Sequence, residues 1–197
     1  MAAMTSPLPD KCGIAFKEWA GVCDALARGN QSLILRKGGV AEGPGGFHPD
    51  HPAFWLYPTY VHQAEQGLRI PPALIEDPTP GSVAIDTLAL VEWTGRVDRE
   101  DQLGAIADLH GWTERTIRDR FHYRTPGLWA LGVRIFRLPE PFRVSVTPEQ
   151  LGCKTWVPLE SPLPTIALAS VIEDGESLRR LDRLRSTLDS TLIRDRS

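Results

Sequence analysis

The sequence predicts an α+β fold: a mixed or barrel-like β-sheet with flanking helices and a C-terminal amphipathic helix. Three observations lead there. Two long runs rich in Val, Ile, Leu, Thr and Trp, at 82–97 and 128–138, carry the composition of central strands. Helical periodicity lies toward the ends of the chain and does not alternate strictly with strands, which argues against a doubly wound parallel sheet. A length of 197 residues supports one sizeable core and is short for two. We therefore expect a single domain over 1–174, with 175–197 a helix packed on it or used for association.

Taken in order, Phe16, Trp19, Ala20, Cys23 and Leu26 recur at helical spacing up to Gly29, so a first helix is expected there. Residues 32–36 read as a short buried strand halted by Gly38 and Gly39. The Gly/Pro-rich segment 41–52 is loop, residues 54–57 look extended, and 60–66 could form a helical turn. A proline-rich connector covers 68–80, followed by the long strand at 82–97, read as bent or bulged. Two short helices follow at 99–110 and 113–122, the second opened by a cap-like Thr113. The strand at 128–138 is closed by Pro139 and Pro141, and shorter strands are expected at 142–146 and 155–159. Leu178, Leu181, Leu184, Leu188 and Leu192 then mark one face of a terminal helix over 176–193.

Composition narrows the function classes. Hydrophobic residues at 42% and charged residues at 24% fit a globular chain, and no apolar run approaches the length needed to span a bilayer. Three cysteines without CxxC spacing (Cys12, Cys23, Cys153) oppose a disulfide framework and point to the cytoplasm. The formal charge of −3 neither supports nor excludes a nucleic-acid partner, but the basic residues are mostly arginine, which suits phosphate and carboxylate recognition.

The run Ala15-Phe16-Lys17-Glu18-Trp19-Ala20, the run 33–42 (LILRKGGVAE) and the run 54–63 (FWLYPTYVHQ) resemble the bacterial family named domain of unknown function 1802. The resemblance continues through 120–124 (RFHYR), 133–138 (VRIFRL) and 156–159 (WVPL), up to about residue 160. It brings no established activity. A partial likeness to the ASCH branch of PUA-like barrels rests on the spacing of Gly29 and Arg36, while Gln31 and Ile34 stand where that pattern wants Lys and Glu. That likeness implies a PUA-like barrel able to hold RNA or a nucleotide.

Function must come from the side chains. Arg36 and Lys37 at a strand end before Gly38-Gly39 could hold a phosphate, with a solvated hairpin turn as the plainer reading. Tyr57, Thr59, His62 and Gln63 combine flat rings with donors and acceptors, as a base pocket or an aromatic core plug would. Arg115, Arg118, Arg120 and Arg124, with His122 and Tyr123, form a basic and aromatic run that could track a phosphate backbone, with a solvated helix carrying one or two inward arginines as the plainer reading. Arg134 or Arg137 in the following strand could reach the same pocket. His48, Asp50, His51 and His62 offer an alternative metal set for phosphoester hydrolysis. No acid-x-Lys strand or G-x-S-x-G elbow is present. The expectation is a binding domain for RNA, single-stranded DNA or a nucleotide, requiring no cofactor. Alternatives are the metal-assisted hydrolase, or a scaffold that dimerises through its terminal helix.

Overall fold

The computed structural model describes residues 7–37, 47–60, 67–69, 80–150 and 154–189. Strand β1 (Lys11–Trp19) runs directly into helix α1 (Ala20–Ala27), then β2 (Leu33–Arg36), β3 (Ala53–Thr59) and β4 (Ser82–Val97). Helix α2 (Asp101–Ala105), a 3-10 turn (Ala107–Leu109) and helix α3 (Glu114–His122) separate β4 from β5 (Leu128–Ser145). A 3-10 turn (Pro148–Gln150), strands β6 (Trp156–Pro164) and β7 (Ala169–Ser170), and helix α4 (Asp174–Asp189) complete the order.

The strands form one mixed sheet in the order β2-β5-β4-β3-β1-β6, with β7 added to β5. Among the described residues only β1 and β3 pair in parallel; the other ladders between these strands are antiparallel. The path is not closed by a ladder, yet its two ends meet. Arg36 on β2 donates to the hydroxyl of Thr155, next to β6, at 2.6 Å, and lies 5.4 Å from the Phe16 ring on β1. The sheet is thus curled, and side chains join its terminal strands.

Two sequence expectations are corrected. The first helix begins at Ala20, because Phe16 and Trp19 belong to β1; alternation along the strand sends Phe16 into one core and Ala15 into the other. The two strands expected at 128–138 and 142–146 are one, despite Pro139 and Pro141. Register explains it: Thr87 pairs with Arg137 and Ile85 with Phe142, so residues 138–141 bulge opposite Asp86 and no ladder hydrogen bond is asked of either proline. The bulge expected in β4 is present at Glu92: Val91 pairs with Val133 and Trp93 with Gly132, so β4 carries the extra residue there.

The sheet separates two apolar clusters. Phe16, Phe54, Leu56, Leu131 and Ile135 belong to the first, with Ile117 and Phe121 of α3 and Leu184 of α4; Ala15, Trp55, Tyr57, Leu88 and Phe136 belong to the second. Thr113 caps α3, its hydroxyl accepting from the Thr116 N–H. The terminal helix lies over the sheet: Leu181, Leu184 and Leu188 are buried, and Gly132 lets the first two approach the β5 backbone. Leu192, also expected on that face, lies outside the described residues, as do residues 61–66 of the turn expected at 60–66. No described helix is long and apolar enough to cross a membrane.

Candidate binding site at the end of the curled sheet

Where β1 ends and α1 begins, the chain buries a carboxylate. Glu18 is 2% exposed, its Oε1 accepts from the Trp19 N–H at 2.9 Å, and its Oε2 lies 3.8 Å from an Arg36 guanidinium nitrogen. A carboxylate this sheltered needs a cation nearby, and two guanidiniums supply it. Arg120, on α3, packs 4.9 Å from the Trp19 ring and 4.6 Å from that of Trp112. Burial, reinforced by Arg36, draws the Arg120 guanidinium below its ordinary value, while Glu18 opposes the shift. Glu18 Oε2, Arg36 Nε and Arg120 Nη1 have no hydrogen-bond partner among the described residues. Groups of this kind have a strong demand for partners.

An aromatic rim adjoins the cluster. Arg36 pairs in register with Trp129, whose ring lies 5.9 Å from His48 and 5.0 Å from the Arg96 guanidinium. The Trp156 indole, beside Thr155, donates to the His48 carbonyl at 3.0 Å and meets the His51 ring edge-on at 4.7 Å. Trp129, Trp156 and His51 are partly exposed; His48 and Arg96 are exposed. Two indoles, two imidazoles and a guanidinium therefore continue the surface outward from Arg36.

Of the residues singled out in the sequence, Arg36 and Arg120 come together here. Lys37 does not present a free charge: its ammonium donates to the carbonyls of Phe121 and Gly127, both at 2.9 Å, and to that of Thr125, tying β2 to the turn between α3 and β5. Burial, then Arg96, lowers its pKa. Tyr57 alternates to the other cluster, where burial raises its phenol, and Lys17 lies 5.7 Å from its ring. Thr59 donates to the Glu18 carbonyl at 3.1 Å. Tyr123 is exposed, beneath Arg124. Arg134 leaves the opposite face of β5 from Trp129, stacks on Phe136 and reaches Asp174 at 3.6 Å, so it does not share the pocket of Arg36. His62 and Gln63, like Gly38 and Gly39, lie outside the described residues.

For the alternative metal set, His48 and His51 contact indoles and Asp50 is exposed; among the described residues no three His, Cys, Asp or Glu side chains are grouped to hold an ion. Cys12 and Cys23 are buried, and burial raises both thiols above their usual range, the second strongly. Cys153 lies outside the described residues. The residue that sequence reasoning missed is Glu18. It falls inside the expected first helix, where nothing singles it out as a functional residue. The available signal was its place in an alternating run, where Ala15, Lys17 and Trp19 share one parity and Phe16 and Glu18 the other.

A family model described as Domain of unknown function (DUF1802) matches residues 15–183. No curated protein matches the chain. Among solved structures, a mutant of ZmASCH from Zymomonas mobilis is similar, with 14% identity, 90% of this chain and 99% of that chain covered, and a TM-score of 0.43. The crystal structure of ASCH from the same organism gives 15% identity, 87% and 94% coverage, and a TM-score of 0.40. At these values the reading of the site rests on this chain's own residues.

Proposed function

The chain belongs to the DUF1802 family, a domain of unknown function, and we propose that it binds a nucleotide or a single-stranded stretch of RNA or DNA at the end of its curled sheet. The observation that carries this reading is the convergence of Arg36, Arg120 and Glu18, with unpaired polar atoms, beside the rim of Trp129, Trp156, His48 and His51. Each part has a task. The Arg36 guanidinium, positioned by Glu18 and Thr155, offers planar donors to a phosphate or a base edge. Indole and imidazole faces stack bases with little regard to sequence. Arg120 keeps the buried carboxylate compensated, so Arg36 need not be neutralised by it alone.

Fluorescence anisotropy with labelled ten-nucleotide poly-uridine RNA and poly-thymidine DNA tests the reading. Arg36→Ala is expected to weaken binding about tenfold or more, and Trp129→Ala by about five- to tenfold through lost stacking. Unchanged affinity in both variants would remove the proposal.

A further inference from the structure

A second hollow, about 510 Å³ in volume, lies between α2, the turn Ala107–Leu109 and α3. Leu103, Gly104, Ala107, Trp112 and Ile117 give it apolar walls, and His110 lines it as well. The volume lies within the range of small-molecule sites.

His110 supplies the specific polar group. It is 3% exposed, and its Nδ1 accepts from the Trp112 N–H at 3.2 Å, which leaves the ring proton on Nε2. Burial, the largest cause, and Arg69 hold the imidazole near a pKa of about 4, so it is a neutral donor at physiological pH. Nε2 has no hydrogen-bond partner among the described residues. His110 lines the hollow, and its Nε2, shielded from water in this conformation, is an unpaired donor that a small movement of the wall would open to an acceptor from outside the chain.

The rim decides the charge of that acceptor. Arg118 is committed to Glu100 at 2.7 Å and Glu114 at 2.8 Å, and His122 adds a contact to Glu100 at 2.7 Å. Arg69 donates to the carbonyls of Ala107 and His110. Asp101 is paired with Arg99, which leaves the carboxylates of Glu100, Asp101 and Glu114 around an opening whose cations are already engaged. An anion would meet these carboxylates without a free cation.

We propose that this hollow binds an uncharged, mainly apolar molecule bearing a carbonyl oxygen that accepts the His110 Nε2 proton. The hollow adjoins the Arg120 cluster through the buried Trp112, but its ligand and its test differ from those of the proposed nucleotide surface, so the two can fail independently.

Titration of the full chain by two-dimensional amide NMR tests it, with acetophenone, ethylbenzene and benzoate as probes matched in size. Acetophenone is expected to give saturable shifts at Gly104, Ala107 and Ile117, with ethylbenzene and benzoate each about fivefold weaker or more. Gly104→Leu should abolish the acetophenone shifts in a folded protein, since a side chain at Gly104 meets no atom within 4 Å at its Cβ. The wild-type titrations are decisive even if that variant folds poorly. No saturable response to acetophenone, equal affinity for ethylbenzene, or tighter binding of benzoate overturns the assignment.

Discussion

His110 makes a stability prediction that depends on one side chain. Its imidazole ordinarily titrates at 6.5 and is lowered to about 4 in the folded chain, so the unfolded chain takes up the proton first as pH falls. The stabilisation is complete above pH 6.5 and is lost progressively as pH drops through 4. At 1.36 kcal/mol per unit this amounts to at most about 3 kcal/mol. Urea unfolding at pH 7 and pH 4.5 should show wild type losing more stability than His110→Gln, by roughly 2 kcal/mol, and equal losses would refute the linkage. The sequence did not mark His110 in this way, because its burial depends on α2, α3 and Trp112 meeting. Arg36 and Arg120 were legible as cations of interest; that Lys37 spends its donors on three carbonyls was not, since the accepting turn lies more than eighty residues along the chain.

At the scale of elements, the contact between β5 and α4 depends on the absence of a side chain at Gly132. A Cβ there would stand 2.8 Å from a Leu184 methyl and 2.9 Å from a Leu181 methyl. Methyl groups can yield to an alanine, but a branched side chain must push the helix off the sheet. Gly132→Val is therefore expected to cost about 1–3 kcal/mol, while Gly104→Ala, in open space within α2, should be neutral or stabilising by up to about 1 kcal/mol. Thermal melts of the two variants compare them directly, and an unchanged melt for Gly132→Val would show that α4 is not held in this way. The leucine stripe of α4 and the extent of β4 were readable because periodicity reports burial on one face. The start of α1 was not: Phe16, Trp19 and Cys23 satisfy helical spacing even though a parallel strand partner claims the first two. The length of β5 was hidden as well, because a bulge lets prolines pass through a strand.

For the whole molecule, the curl of the sheet gathers Arg36, Arg120 and Arg96 at one end of a weakly acidic chain. A charge of −3 spread over the chain gives no general attraction for nucleic acid, so any affinity must come from the few cations placed at the sheet's end. Sequence order could not reveal this, because Glu18, Arg36, Arg120 and Thr155 come from four separate segments and meet only when β2 swings round toward β6. The salt dependence of binding is the corresponding whole-molecule measurement. With Arg36 and Arg96 as the phosphate contacts, log affinity for single-stranded RNA should fall with log salt at a slope of about −1.4, from about −0.7 for each phosphate. Arg96→Ala should bring the slope to about −0.7 without altering the melt, because Arg96 is exposed and its partner Asp98 lies at the surface. A slope of about −4 or steeper would require a basic tract several times larger than this one, and would move the nucleic acid to another face of the protein.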